Sequence, residues 1–329
     1  MRAPRFWYET SAEAKAAATL LSPLGALYGI GVRFNQNRRK TFQSRAKIIC
    51  VGNLTLGGTG KTPIAISLAE TFLGQGKKTV FLSRGYKGRL AGPIVVDPLL
   101  HSTADVGDEP LLLARTATTI VSRKRAAGAA MADALGAELV IMDDGHQNFS
   151  LRKDLSIIVI DSSSGFGNGQ LFPAGPMREP IDEGLGRADA VIVVGEEPLQ
   201  LKAFDGPILR ARLVPTEDNK IEKERVVAFA GIGRPDKFFT MLDGMGWQIC
   251  AARGFSDHHA YSENDIRQLN KLAEELKARL LTTEKDLVRI TPHQRKNISA
   301  IPIRAMFEDS HAPAQLLEIL SNGTGTAAT

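Results

Sequence analysis

Residues 55–62, which read Thr-Leu-Gly-Gly-Thr-Gly-Lys-Thr, strongly limit the folds open to this chain. A short, β-branched, apolar run precedes them at residues 47–52, and residues 63–69 carry apolar side chains at helical spacing. This order of strand, glycine loop and helix predicts an anion site, because the glycine backbone can wrap a phosphate and the helix N-terminus directs N–H groups at it. Lys61 adds a mobile charge, and the Thr62 hydroxyl is a candidate ligand for Mg²⁺. The residues predicted to contact nucleotide phosphates are Thr55, Gly57, Gly58, Thr59, Gly60, Lys61 and Thr62.

The match to the common phosphate-binding pattern G-x-x-x-x-G-K-[ST] is incomplete. Thr55 occupies the first glycine position, and the fit is better to the variant loop G-G-x-G-K-T. Leu56 lies where many ATPases with the variant loop carry a second lysine. A glycine turn without function is the alternative, but the flanking strand and helix patterns favour nucleotide binding.

The remaining pattern predicts an α/β protein with more than one domain. At 329 residues the chain exceeds the usual size of a single domain, and Cys50 and Cys250 lack the spacing of a metal or redox site. We predict an N-terminal membrane-interacting helix within residues 1–46, a P-loop NTPase-like doubly wound domain at 47–220, and a smaller α/β domain at 221–329. Strands are predicted at residues 48–51, 79–83, 94–97, 119–122, 139–143, 157–161, 190–194, 226–230, 248–252, 280–283 and 303–307. Helices are predicted at residues 62–73, 109–115, 124–135, 235–244, 263–278 and 312–321.

The N-terminal segment carries the excess positive charge of the chain. Residues 1–47 hold nine Lys or Arg against two Glu, a net charge of +7, so the whole-chain value of +5 leaves −2 for the remainder. A basic charge confined to one segment argues against a nucleic-acid partner.

The same segment contains a charge-free, apolar stretch at residues 16–32. Aromatic residues 6–8 precede it, and Arg38, Arg39 and Lys40 follow it, an order typical of an interfacial membrane anchor. The stretch is short for a spanning helix. A signal peptide would need a short basic head and a cleavage site, whereas Glu9 and Glu13 precede this stretch. We predict peripheral attachment to an anionic membrane surface; a helix packed on the protein's own core is the alternative.

Two groups of acidic residues are candidates for chemistry. The apolar run 139–142 ends in Asp143 and Asp144, as does the strand that holds Mg²⁺ in P-loop enzymes. An ordinary Asp-Asp-Gly turn is the alternative, and the sequence does not distinguish which aspartate faces the metal. Asp108 directly precedes a predicted helix, and from the residues alone a helix cap is its favoured explanation.

Two further groups combine acidic residues with histidine or arginine. His258 and His259 follow Asp257, which could indicate a metal site, but further zinc ligands are missing at suitable spacing. A catalytic or substrate role and a solvated loop are equal alternatives there. Arg178 and Glu179 lie in the proline-rich segment 173–180, and such a stiff loop can pre-position an arginine on a phosphate or form a plain surface turn.

Taken together in this order, the motifs resemble the tetraacyldisaccharide 4'-kinases, the lipid A 4'-kinases of Gram-negative bacteria. The resemblance spans nearly the whole chain, including the aromatic start at residues 6–8. The segments that carry it are residues 51–63, 83–86, 106–110, 143–145, 173–180, 229–235, 257–259 and 281–286.

The resemblance implies an enzyme that transfers the γ-phosphate of ATP, with Mg²⁺, to the 4'-hydroxyl of a lipid A disaccharide 1-phosphate precursor. It also implies a peripheral location at the cytoplasmic face of the bacterial inner membrane and an active site between the two domains. By this likeness Lys61 contacts the β- and γ-phosphates, and Asp108 is the general base, oriented by His258 with His259 in reserve. The other implied nucleotide contacts are Arg125, Gln147, Arg178 and Glu179, and the implied metal ligands are Thr62, Asp143 and Asp144.

One departure from the family pattern leaves a question. The family phrase usually runs Asp-Asp-Gly-Phe-Gln-His, whereas residues 143–148 read Asp-Asp-Gly-His-Gln-Asn. A role of the family histidine therefore cannot be carried to Asn148, and the function of His146 is open.

The alternative function is a switch ATPase or GTPase with the variant loop, of the sorting or metallochaperone type. It would share residues 57–62 and a membrane contact. It would not explain the Asp257–His258 pair or the loop that carries Arg178, so the kinase is the favoured prediction.

Overall fold

The computed structural model describes residues 4–36, 41–201, 204–216 and 224–322, and their strands form two sheets. The strands are β1 (Lys47–Gly52), β2 (Thr79–Ser83), β3 (Ile94–Val95), β4 (Thr119–Val121), β5 (Leu139–Asp143), β6 (Leu155–Asp161), β7 (Ala190–Val194), β8 (Ile208–Pro215), β9 (Arg225–Ala230), β10 (Gln248–Gly254), β11 (Arg279–Thr283), β12 (Ile298–Ile301) and β13 (Ile303–Phe307). The helices are α1 (Ala12–Gln36), α2 (Lys61–Gly74), α3 (Thr103–Val106), α4 (Asp108–Leu113), α5 (Arg125–Ala134), α6 (Ile181–Leu185), α7 (Pro235–Gly244), α8 (Glu263–Glu275), α9 (Glu284–Leu287) and α10 (Ala312–Asn322).

The larger sheet has nine strands in the order β13-β8-β7-β6-β1-β5-β2-β4-β3. Its seven central strands are parallel, and the two edge strands, β3 and β13, pair antiparallel with their neighbours. Strand β1 lies between β5 and β6, and its apolar side chains are fully buried because both faces of the sheet are covered. This arrangement confirms the predicted α/β fold with a mainly parallel sheet.

The position of β1 decides where a ligand can bind. Its neighbour β5 comes later in the chain than β2, and its other neighbour β6 starts the opposite half of the sheet. In such sheets ligands bind beyond the carboxyl ends of the strands at the point where the strand order reverses. The residues that follow β1, β5 and β6 all meet at this edge.

The smaller sheet has four parallel strands in the order β10-β9-β11-β12 and a core of its own. Helix α7 packs on one face through Phe238 and Leu242, and helix α8 packs on the other through Ile266 and Leu269. Two covered faces explain why β9 reads as an uninterrupted apolar run.

The chain returns to the larger sheet at its C-terminal end. Strand β13 pairs with β8, and Leu316 and Leu320 of α10 join the large core beside α2. The smaller sheet ends at Ile301, so the predicted range 221–329 includes a strand and a helix that belong with the larger sheet. The chain leaves the larger sheet after Thr216 and returns to it at Pro302, and we call these two connections the crossings. They are adjacent, since the Thr216 N–H donates to the Pro302 carbonyl oxygen at 3.0 Å. The predicted boundaries at residues 46 and 220 stay predictions.

Helix α1 contacts the rest of the protein along one side. The indole Nε1 of Trp7 donates to the carbonyl oxygen of Pro173 at 3.1 Å, and the Phe172 ring lies edge-on against Trp7 and Tyr28. These contacts fix the helix and the aromatic turn before it on the proline-rich loop 171–178. Gly25 and Gly29 of α1 lie against Leu171 of this loop, and Arg33 of α1 pairs with Glu183 of α6.

The opposite side of α1 is apolar and exposed. Leu20, Leu24 and Leu27 are 80%, 52% and 65% exposed, and Ile30 is exposed beside them. The segment Ala12–Phe34 is long and apolar enough to cross a membrane by length and composition, although a core helix or a signal sequence passes the same test. The basic cluster at residues 38–40 lies outside the described residues.

Candidate active site

The glycine-rich loop leads from β1 into α2 through left-handed backbone. Gly60 is the N-cap of α2 with φ +88°, and Gly57 has φ +125°, conformations that favour glycine. Helix α2 begins at Lys61, so the N–H groups of its first turn face the loop without partners within the helix. This is the order of strand, glycine loop and helix that the sequence predicts, and such a helix start favours a bound anion.

Two aspartates end β5 beside this loop and face different environments. The Asp143 side chain is buried, and its Oδ1 has no hydrogen-bond partner within the described part of the chain. Burial, with the neighbouring charges of Glu109 and Asp144, raises the pKa of Asp143 to about 7. A bound cation would restore the charged carboxylate, so Asp143 fits a ligand of a hard metal ion.

The Asp144 carboxylate is paired with two cations. It has φ +52°, and its Oδ1 lies 2.8 Å from Nη1 of Arg178 and 3.7 Å from Nζ of Lys61. Burial raises the pKa of Asp144, but Lys61 and Arg178 lower it by more, so the net shift is downward. Asp143 and Asp144, with Thr62 in the first turn of α2, could hold Mg²⁺.

The Arg178 side chain extends from the proline-rich loop to Asp144, at the end of β5 beside the glycine loop. Its Nη1 also lies 3.4 Å from Oε1 of Gln147, whose Nε2 donates to Oε1 of Glu179 at 2.9 Å. Glu179 has no exposed surface and is ion-paired with Arg187. Glu179 and Gln147 therefore support Arg178 from behind, and Arg178 is the member of this group that faces the loop.

Arg125 begins α5 and is buried near the two aspartates. Its Nη1 donates to the Ser122 carbonyl oxygen at 2.7 Å, while its Nε has no partner within the described residues. Burial lowers the pKa of Arg125 to about 10, although Asp143 and Asp144 act to raise it. The guanidinium keeps its charge at neutral pH and adds a third cation to this edge of the sheet.

Asp108 is not a helix cap, so that interpretation of the sequence is wrong. Gly107 occupies the N-cap of α4, and no side-chain cap hydrogen bond forms there. The Asp108 carboxylate instead points at the smaller sheet, where Nδ1 of His258 lies 2.8 Å from its Oδ2. Because an ionised carboxylate only accepts hydrogen bonds, Nδ1 of His258 carries the proton.

His258 is placed by its backbone and by an aromatic neighbour. It has φ +58°, its N–H donates to the Gly231 carbonyl oxygen at 3.1 Å, and its ring lies edge-on to Tyr86 with 5.6 Å between centroids. His259 points elsewhere, stacks on Phe255 and lies 3.2 Å from Asp265. Of the two histidines, His258 is the one that meets Asp108.

Two cations of the site, Lys285 and Arg289, follow β11 of the smaller sheet and were not predicted from the sequence. Nε of Arg289 lies 2.8 Å from Oδ2 of Asp108, to which its Nη2 also donates, and Nζ of Lys285 lies 2.8 Å from Oε1 of Glu109. Burial raises the pKa of Asp108, but the hydrogen bond from His258 and the charges of Lys285 and Arg289 hold it below its usual range. Lys285 belongs to the matching segment 281–286, and Arg289 lies three residues beyond it.

Arg289 and Lys285 also argue against a metal site at Asp108, Glu109 and His258. Ligand atoms of Asp108, Glu109 and His258 lie within 4.8 Å of one another, a spacing that could hold a metal ion. Both carboxylates are already paired with Arg289 and Lys285. The group is therefore an ion-paired contact between the two sheets. Asp143 is the better metal ligand, because its buried Oδ1 has no partner among the described residues.

The sequence matches a known protein family over most of its length. A family model described as tetraacyldisaccharide-1-P 4'-kinase matches residues 17–321. The chain belongs to this family.

The relatives are similar over their full length. The tetraacyldisaccharide 4'-kinase of Rhodospirillum rubrum is 45% identical over 98% of this chain and 99% of its own. That of Parvibaculum lavamentivorans is 49% identical over 94% of this chain and 95% of its own. Among solved structures, the "apo" form of LpxK from Aquifex aeolicus in complex with ATP matches with a TM-score of 0.77 and 27% identity, over 92% of this chain and 99% of that one.

His146, which departs from the phrase usual in tetraacyldisaccharide 4'-kinases, is a structural residue in this chain. It is fully buried, with Nδ1 3.0 Å from the Ser156 hydroxyl and Nε2 3.0 Å from the Gly184 carbonyl oxygen. Burial lowers its pKa well below the ordinary value, so the folded protein holds the ring neutral. His146 therefore joins β6 to α6 behind the site and does not reach the nucleotide loop.

The neutral state of His146 predicts a pH dependence of stability. Below about pH 6.5 the unfolded chain binds a proton that the folded chain excludes, so the free energy of unfolding falls as pH falls, by about 1.4 kcal/mol per pH unit for one proton. Urea unfolding at several pH values should show this slope and its reduction in His146→Gln. Substitution of the exposed His311 by Gln is the control and should leave the slope in place. Equal slopes in wild type and His146→Gln would contradict the assignment.

Proposed function

We propose that this protein is an ATP-dependent tetraacyldisaccharide 4'-kinase, which phosphorylates the 4'-hydroxyl of tetraacyldisaccharide 1-phosphate in lipid A biosynthesis. The observation that carries the proposal is the Asp108–His258 pair, which joins the phosphate-loop sheet to the smaller sheet. A carboxylate beside a phosphate site supplies what phosphoryl transfer to a hydroxyl requires, a base positioned for the acceptor.

The nucleotide side of the site is made by the glycine loop and its neighbours. Lys61 and Arg178 place positive charge where the β- and γ-phosphates would lie, and both contact Asp144. Thr62, Asp143 and Asp144 would hold Mg²⁺, which when bound neutralises phosphate oxygens during transfer. The unpaired Oδ1 of the buried Asp143 supports this metal assignment.

The acceptor side is made by residues from both sheets. Glu109 raises the pKa of Asp143 and Lys285 lowers it, so the Asp108 region and the metal aspartates share one electrostatic environment. Asp108 takes the proton of the acceptor hydroxyl, and His258 holds the carboxylate in place. Because the partners of Asp108 belong to the smaller sheet, the base is in position only when the two sheets approach, which disfavours water as the acceptor.

The exposed face of α1 supports peripheral attachment to the cytoplasmic face of the bacterial inner membrane. An acceptor with four acyl chains stays in the bilayer, so the enzyme must reach the lipid surface. Exposed leucines on α1 can enter the headgroup region, and basic residues in the N-terminal segment contribute about 1 kcal/mol each near anionic lipid.

The test of this function is transfer of labelled γ-phosphate from Mg-ATP to the tetra-acyl disaccharide 1-phosphate in detergent micelles. Labelled lipid product that requires the acceptor establishes the kinase. ATP hydrolysis at one rate with and without acceptor, with no labelled lipid, would reject the kinase in favour of the switch ATPase.

A further inference from the structure

The two oxygens of the Asp108 carboxylate have different partners. Three donors converge on Oδ2, namely Nδ1 of His258 with Nε and Nη2 of Arg289. Oδ1 receives only the N–H of the next residue, Glu109, at 3.1 Å among the described residues. A carboxylate oxygen has two lone-pair directions, so Oδ2 is filled and Oδ1 keeps one open.

Arg289 is itself fixed from behind. Its side chain is 4% exposed, and its Nη1 donates to the Gly231 carbonyl oxygen at 2.6 Å and to Oδ1 of Asp286 at 2.8 Å. Asp286 is fully buried and also accepts the Gly231 N–H and the Tyr261 hydroxyl, both at 2.9 Å. Each hydrogen bond in this network restricts the plane of the Arg289 guanidinium. The two N–H groups that meet Asp108 therefore have one orientation.

We propose that Arg289 is a positioning residue for phosphoryl transfer, which with His258 occupies Oδ2 of Asp108 and leaves Oδ1 to take the proton of the acceptor hydroxyl. The inference rests on the proposed kinase function. In the step, the acceptor O–H bond breaks and its proton moves to Oδ1, while the acceptor oxygen forms the new bond to the γ-phosphorus. The bond from the γ-phosphorus to the bridging oxygen breaks, and ADP leaves with that electron pair.

The charged groups around the carboxylate agree with this assignment. His258 and Arg289 contact it and the charge of Lys285 acts on it, while Asp286 pairs with Arg289 and Tyr86 lies against His258. Lys285 is directed at Glu109 and Asp286 at Arg289, so neither competes for Oδ1. Oδ1 is the carboxylate atom left for a substrate.

The test compares Arg289→Lys with wild type. Lysine keeps the charge but cannot hold Oδ2, Gly231 and Asp286 together, so kcat is expected to fall about 10–10²-fold while KM for ATP changes less than about threefold. Arg295→Lys is the matched control, because Arg295 donates to the Ile290 and Val288 carbonyl oxygens in the same segment without touching the site. The control should keep the wild-type kcat. Arg289→Gln is the second variant, should the lysine variant unfold.

A double-mutant cycle with Asp108→Asn separates positioning from general loss of structure. If Arg289 acts through Asp108, adding Arg289→Lys to Asp108→Asn costs less than about twofold further in kcat. The inference is overturned if the fold-decreases in kcat of the two single variants multiply in the double variant, or if both Arg289 variants keep the wild-type kcat. In either case the kinase function stands. Absence of labelled lipid from the wild-type enzyme would instead be a failure of the proposed function.

Discussion

Asp108→Asn is expected to lower kcat for lipid phosphorylation by about 10²–10⁴-fold with little change in KM for ATP. Asparagine has nearly the same shape and still accepts from Arg289 through its amide oxygen, so the contact between the sheets is kept. The amide cannot take the proton of the acceptor hydroxyl, so the loss falls on the chemical step. Initial rates of labelled phosphate transfer at saturating ATP measure it directly.

Asp243→Asn is the control for this measurement. Asp243 is an exposed aspartate on α7, and its substitution should leave kcat at the wild-type value. Thermal unfolding of both variants establishes that they are folded. If Asp108→Asn keeps wild-type kcat while labelled lipid still forms, Asp108 is not the base and the assignment of Oδ1 falls with it.

The variant with Leu20→Gln, Leu24→Gln and Leu27→Gln is expected to bind membranes about 10³-fold more weakly. Each leucine side chain moved from water into an apolar phase contributes roughly 1.5 kcal/mol, and each 1.4 kcal/mol is a factor of ten in partitioning. Co-sedimentation with vesicles of phosphatidylethanolamine and phosphatidylglycerol measures the loss. Transfer to acceptor in such vesicles should fall with it, while ATP affinity in solution is kept.

The chain offers a matched control for the α1 variant. Leu99 and Leu100, between β3 and α3, are 94% and 79% exposed, so Leu99→Gln with Leu100→Gln removes similar apolar surface elsewhere. This control should sediment with vesicles as the wild type does. Unchanged vesicle binding by the α1 variant would contradict the membrane role of its exposed face.

The sequence predicted the centre of the fold better than its edges. Strands buried on both faces, such as β1 and β5, are continuous apolar runs and were found close to their true bounds. Strand β8 was missed because Arg210 and Arg212 interrupt its apolar pattern near the sheet edge. Strand β12 was missed because only its end residues, Ile298 and Ile301, are buried, so it has no apolar run. The sheet to which β13 belongs depends on pairing with β8, which no local pattern encodes.

The site shows the same division between local and distant information. Lys61, Asp143 and Asp144 lie in motifs that the sequence alone could indicate as candidates. From the residues alone Asp108 looked like a helix cap, because its true partners are 150 and 181 residues away in the chain. Arg289 has no motif of its own to mark it, and only the folded contact reveals it.

The paired crossings at Thr216 and Pro302 have a mechanical consequence. Both connections to the smaller sheet pass through one hydrogen-bonded point, so they constrain its rotation much as a single pivot would. A rotation about this point would separate three ion pairs in one movement, Asp108 with Arg289, Glu109 with Lys285 and Asp161 with Arg234. Weakening any one of these pairs should then make the other two easier to separate.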